Sequence, residues 1–168
     1  MIVDINQNEQ SAVHEPIKVL FVCFANICRS PMAEAVFRHK VDELGLSDSI
    51  QTDSAGVSFS SIVANPHDRV IQILSEKGIS CSHQSRRIQT ADLSHFDYVL
   101  AADTTVLRSI WGMGKGKAKV QSLMKYALGS DYTEIPDPIK TDKFELTYDL
   151  IDKSTDGLLK FIRETHEI

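Results

Sequence analysis

The sequence predicts an α/β fold in one domain, a four-stranded parallel sheet flanked by helices on both faces. Three observations carry this. Short β-branched runs alternate along the chain with segments whose apolar residues recur at spacings of three and four. The first run, IKVLFVC from Ile17 to Cys23, is apolar on both of its alternating faces beyond Lys18, as a strand covered on both sides must be. At 168 residues the chain fits a single core, burying roughly two-thirds of its unfolded surface.

After the first strand the spacing changes. Ala33, Phe37, Val41 and Leu44 mark a helix, with Pro31 suited to its first turn and Gly45 to the position beyond its end. A second strand is expected over Ser49 to Ser54. Asn65 then reads as an N-cap and Pro66 as a first-turn residue for a helix carrying Val70, Ile73 and Leu74 up to Gly78. Phe96 to Ala102 is the third strand, and Asp103 caps a short helix with Val106, Leu107 and Ile110. The loop Gly112 to Lys117 leads to a fourth strand over Ala118 to Leu123. The last helix is the plainest: Phe144, Tyr148, Ile151, Leu158 and Ile162 form a stripe for the sheet, interrupted by Thr155, behind a capping box at Asp142 and Glu145. In such a sheet ligands bind beyond the carboxyl ends of the strands, where Cys23, Ser54 and Asp103 all fall.

Composition narrows the function. Basic residues number 18 against 23 acidic ones, net charge −5, which disfavours nucleic acid and anionic membranes as partners. The longest apolar stretch is far below the ~20 residues that span a bilayer. Residues 1–16 read as a polar, flexible tail without a signal-peptide pattern, so the expected compartment is the reducing cytoplasm. Three cysteines, Cys23, Cys28 and Cys81, then point to thiol chemistry or burial rather than disulfides.

The chemistry concentrates in Cys23-Phe24-Ala25-Asn26-Ile27-Cys28-Arg29-Ser30, where five residues separate a cysteine from an arginine and a hydroxyl follows. A loop of this length closing onto a helix N-terminus aims several backbone N–H groups at one point, and the helix dipole adds positive potential there. Arg29 can grip two phosphate oxygens, and a Cys23 thiolate facing a bound phosphate ester is placed for in-line attack. The plainer alternative, a buried strand cysteine, leaves Arg29 without a reason. Aryl ester cleavage also needs an acid for the leaving phenolate. Asp137, in Ile135-Pro136-Asp137-Pro138-Ile139, is the candidate, since two prolines can stiffen a loop that holds its carboxyl over a cleft; Asp-Pro is equally ordinary turn chemistry.

VLFVCFANICRSPMAEAVFR resembles the signature of the low-molecular-weight protein tyrosine phosphatases. DSAG at Asp53 to Gly56, SHQSRRI at Ser82 to Ile88, VLAAD at Val99 to Asp103 and the later Asp137-Pro138 fall in the same order. The resemblance covers Ile17 to the C-terminus, a phosphatase domain over residues 17–168. It implies the flavodoxin-like, phosphotyrosine phosphatase I-like sheet, no metal and no cofactor. Cys23 would be nucleophile, Arg29 phosphate clamp and Asp137 acid and then base, with Phe24, Ala25, Ile27 and Cys28 lining the phosphate loop. Asn26, Ser30, Ser54 and His83 would form the network that holds it. The implied substrate is a phosphotyrosine protein or small aryl phosphate, met by a monomer.

Departures from the family are informative. Glycine usually stands where this chain has Ala25, and a need for φ > 0 there would cost alanine about 1 kcal/mol. An aromatic usually follows Asp-Pro where Ile139 stands, and the second aromatic wall, expected near Ser60, is left to Phe59. These changes widen the pocket and weaken its grip on a phenyl ring. Other readings of the same loop are a thioredoxin-linked arsenate reductase, for which no cysteine follows Cys81 to complete a relay, and a phosphoarginine phosphatase, whose members resemble the family with threonine in place of Ile27. A catalytically weak phosphoprotein-binding module is a third. The resemblance also implies, for some members, a protective disulfide that would here join Cys23 and Cys28.

Overall fold

The computed structural model describes residues 14–59 and 63–168. Its sheet has four parallel strands, β1 (Ile17–Cys23), β2 (Ile50–Gly56), β3 (Tyr98–Ala101) and β4 (Lys119–Ser122), in the order β2-β1-β3-β4. Register runs from Ile17 opposite Ile50 to Cys23 opposite Gly56 on one side of β1, and from Val19 opposite Tyr98 to Val22 opposite Ala101 on the other. The strand order reverses between β1 and β3, and a crevice opens beyond the carboxyl ends at such a point.

The pleat of β1 divides the core. Val19, Phe21 and Cys23 face α1 (Arg29–Glu43), α2 (Asp68–Glu76) and α6 (Phe144–His166), while Leu20 and Val22 meet Leu93 and Phe96 of the α3 (Asp92–His95) region and Val106 and Ile110 of α4 (Thr104–Trp111). Helices therefore cover both faces. The α6 stripe reaches the sheet through Tyr98, against which the Phe161 ring packs edge-on, but much of it lies against α1 and a 3-10 turn, Leu123–Tyr126. There Gly157 is required, because a Cβ would stand 1.9 Å from the Tyr126 carbonyl oxygen. Thr155, the polar break in the stripe, is buried and accepts from Lys40 of α1 at 3.0 Å while donating to the Ile151 carbonyl.

Two helix starts differ from expectation. That of α1 does not: it begins at Arg29, so Pro31 is its third residue, in the first turn, where a missing N–H costs nothing. His67, not Asn65, caps α2, its ring nitrogen accepting from the Arg69 N–H. The His67 N–H is given to the Ile27 carbonyl, which delays the helix past Pro66. Asp142 is no N-cap either. It sits in the left-handed region (φ 58°) closing the short α5 (Pro138–Thr141), and Lys143 opens α6 without a side-chain cap. Asp103 does cap α4, accepting from the Val106 N–H at 2.8 Å.

Candidate active site

The segment joining β1 to α1 wraps around the Cys23 thiol. Its carbonyls turn outward: those of Cys23 and Phe24 accept from the Val57 and Ser58 N–H groups beyond β2, that of Ile27 from His67, and that of Cys28 from Met32. The Asn26 N–H points at Cys23 Sγ (3.3 Å), and those of Ala25, Ile27, Cys28 and Arg29 have no acceptor among the described residues, which leaves them available to an anion. No side chain caps α1, so its first N–H groups and its dipole join the same concavity. Gly56 allows the loop to lie on the end of β2, because a Cβ there would stand 2.7 Å from the Phe24 carbonyl oxygen.

The left-handed residue in this loop is Asn26 (φ 58°), not Ala25, so alanine is accommodated without the strain expected of it. Asn26 is fully buried and every polar atom of its side chain is used. Its amide donates to Ser30 Oγ (2.8 Å) and Ser54 Oγ (3.0 Å), and its carbonyl oxygen faces His83 Nε2 (2.7 Å) and accepts from the Arg86 N–H (3.0 Å). Ser30 in turn touches Cys23 Sγ at 3.0 Å. The structure thus brings Asn26, Ser30, Ser54 and His83 together around the loop.

Sequence reasoning missed the residues behind them. Glu34, buried on α1, accepts from Ser54 at 2.5 Å, faces His83 Nδ1 at 3.1 Å and pairs with Arg38. Burial pushes the Glu34 carboxyl up, but the bonds from His83 and Ser54 and the charges of His83 and Arg38 outweigh it and hold it below the usual carboxylate range. Arg86 spans Asp53 on β2 and Asp92 on α3, fixing the segment whose N–H holds Asn26. Ligand atoms of Glu34, Asp53 and His83 lie within 4.8 Å of one another, yet their bonds to Ser54, Arg86 and Asn26 engage all three side chains, and the group reads as a hydrogen-bonded cluster. The available signal was an acid, Glu34, set inside the otherwise apolar run from Met32 to Phe37.

Arg29 is buried and gripped along one edge. Its Nη1 donates to Asp103 Oδ2 (2.7 Å) and to the Ile135 carbonyl (3.0 Å), so Asp103 serves both as helix cap and as arginine holder. Nη2 lies 3.7 Å from Asp137 Oδ2. The other oxygen of Asp137 accepts from the Ile139 N–H and caps α5. Cys23, Arg29 and Asp137 line one cavity of about 310 Å³, whose walls include Phe24, Ala25, Ile27, Cys28, Ile139 and Lys140. Burial pushes the Cys28 thiol up to about 12, with Cys23 and Asp137 adding to the effect. Phe59 does not line this cavity. Its exposed ring is covered by the Arg87 guanidinium, 3.6 Å from the centroid. Ser60 lies outside the described residues, as does most of the expected tail.

Fold and site together define an α/β protein with an oxyanion-receiving loop around a buried thiol. The profile of the family described as low molecular weight phosphotyrosine protein phosphatase matches residues 18–167. The low molecular weight protein-tyrosine-phosphatase YfkJ of Bacillus subtilis is 38% identical over 155 residues, 90% of this chain and 99% of that one. Its crystal structure superposes with a TM-score of 0.87, covering 90% of this chain and 98% of the other. A low molecular weight phosphotyrosine protein phosphatase of Schizosaccharomyces pombe is 40% identical over 125 residues, 73% of this chain and 80% of its own. The Drosophila arginine phosphatase DARP is similar in structure at a TM-score of 0.82 and 32% identity, over 88% of this chain and 98% of that one. This chain belongs to the low-molecular-weight phosphotyrosine protein phosphatase family. No helix among the described residues is long and apolar enough to cross a membrane.

Proposed function

We propose that this protein hydrolyses phosphotyrosine in proteins, or small aryl phosphates, through a cysteinyl-phosphate intermediate. The observation that carries the reading is the meeting of Cys23, Arg29 and Asp137 at one cavity, at the carboxyl end of β1. The phosphoryl group is received by the loop N–H groups that have no acceptor and by the Nε–Nη2 edge of Arg29, whose Nη1 is already committed and whose Nη2 faces Asp137 at 3.7 Å. Sulfur of the Cys23 thiolate attacks phosphorus in line, the S–P bond forms, and the bond to the phenolic oxygen breaks as Asp137 gives that oxygen a proton. Water then attacks phosphorus, losing its proton to Asp137. The S–P bond breaks, and Ser30, 3.0 Å from the sulfur, stabilises the departing thiolate. We read the catalytic unit as residues 17–168, acting as a cytoplasmic monomer.

A phosphoarginine substrate is the second reading, favoured by the likeness to DARP. Ile27, half-buried in the cavity wall, weighs against it, since a bulky apolar side chain suits a flat aryl ring better than a guanidinium. One preparation, with and without Cys23→Ser, assayed on phosphotyrosine, phosphoserine, phosphoarginine and arsenate decides. Phosphotyrosine turnover that disappears with Cys23→Ser is expected, whereas faster phosphoarginine turnover, or arsenate reduction, would overturn the assignment.

A further inference from the structure

Lys140 has no task in the chemistry just described. Among the described residues it is the one cation besides Arg29 that lines the cavity, and the two differ in every respect that matters for binding. Arg29 is 3% exposed and held by Asp103 and Ile135, whereas Lys140 is exposed and its ammonium has neither hydrogen bond nor ion pair among the described residues. Its backbone is nonetheless fixed relative to the acid. The Lys140 N–H donates to the Asp137 carbonyl at 3.0 Å, in a turn that the Asp137 side chain itself caps. Around it the walls are Phe24, Ala25, Ile27 and Ile139, which offer no side-chain partner to an ion.

We propose that Lys140 is a specificity-determining residue that binds a substrate carboxylate beside the phosphorylated ring, so that the site prefers phosphotyrosine flanked by acidic residues. This rests on the phosphotyrosine reading above. A chain of net charge −5 repels an acidic peptide at long range, so acceptance of one depends on a local cation at the cavity. The acids on the same turn do not cancel this one. Asp137 faces Arg29 at 3.7 Å, and exposed Asp142 closes the far end of α5. Apolar walls exclude part of the screening water and strengthen a lysine–carboxylate pair formed there.

The test uses two phosphotyrosine peptides identical except for Glu or Gln at the flanking positions, and reads the ratio of their kcat/KM values for the full chain and for Lys140→Arg, Lys140→Gln and Lys140→Glu. Taking a ratio within each variant removes any common effect on the chemistry. The wild-type ratio is expected to favour the acidic peptide about threefold at low salt and to shrink as salt is raised. Lys140→Arg keeps it, Lys140→Gln brings it near one, and Lys140→Glu takes it below one. A wild-type ratio of one, or a loss in Lys140→Gln that is equal on both peptides, overturns the inference, the second outcome marking Lys140 as a contact to phosphate. Phenyl phosphate separates the two levels of failure. Turnover of it with no peptide preference defeats only the role of Lys140, while no turnover of any aryl phosphate defeats the phosphatase reading and this one with it.

Discussion

The two sides of the cavity are built differently. On the side of the loop, Asn26, Ser30, Ser54, Glu34 and Arg29 are each at most 5% exposed, and among the described residues no buried side-chain polar atom lacks a partner. On the side of the acid, Ile139 is 53% exposed and Asp137 reaches the site from a four-residue helix. Dense, fully satisfied networks resist local opening, and sparse exposed turns do not. Under the proposed mechanism the difference separates two kinds of work: holding donors in fixed places for an anion, and presenting a carboxyl that exchanges a proton with a leaving group or with water.

Substitutions on the two sides should therefore fail differently. Asp137→Asn keeps the α5 cap, because asparagine caps as well as aspartate, so its melting temperature should match wild type while kcat on an aryl phosphate falls about 10² to 10³-fold. A variant of near-normal rate would break the contrast. Asn26→Ala removes the bonds to Ser30, Ser54, His83 and Arg86 and leaves alanine at φ 58°, so both turnover and folding should suffer. A loss of about 3 kcal/mol, read by chemical denaturation, is expected.

Glu34→Gln is milder and carries a pH signature. A carboxyl held below its ordinary range stabilises the fold above the unfolded value, about 4.3, and loses that contribution as pH falls through the folded one. The variant should lose about 2 kcal/mol near neutral pH, and its melting temperature should approach wild type below about pH 4. A constant gap across this range would remove Glu34's charge from the account of the network. The smallest effect belongs to the acid side. Ile139→Phe restores an aromatic wall and should lower KM for aryl phosphates about threefold, with little change in stability.

Legibility in the sequence follows the same division. The parallel sheet and the loop could be read because β1 is a nearly uninterrupted apolar run and because the interval from Cys23 to Arg29 is a local fact, whereas the order of the strands emerges only in the fold. Asn26, Ser30, Ser54 and His83 became a group only through the family resemblance, since Ser54 and His83 lie on segments remote from the loop in sequence. Glu34, Arg86 and the grip of Asp103 on Arg29 escaped notice because their partners exist only after folding. Asn65 and Asp142 mislead for a related reason. Each has the chemistry of a cap, but His67 is tied to Ile27 and Asp142 occupies a left-handed turn, so tertiary contacts override local preference.

The outward bonds of the loop carbonyls sort the polarity of the site. Every lone pair that Cys23, Phe24, Ile27 and Cys28 spend on Val57, Ser58, His67 and Met32 is one that cannot greet a visitor, while the N–H groups of Ala25, Ile27, Cys28 and Arg29 have no acceptor among the described residues. The cradle therefore judges its guests by sign before it judges them by shape. A metal ion or an amine entering it meets N–H groups and a guanidinium, while any tetrahedral oxyanion of the right size meets donors already in position. Product phosphate is such an oxyanion, so on the proposed mechanism the loop should also hold what the reaction leaves behind, and free phosphate is expected to compete with the substrate.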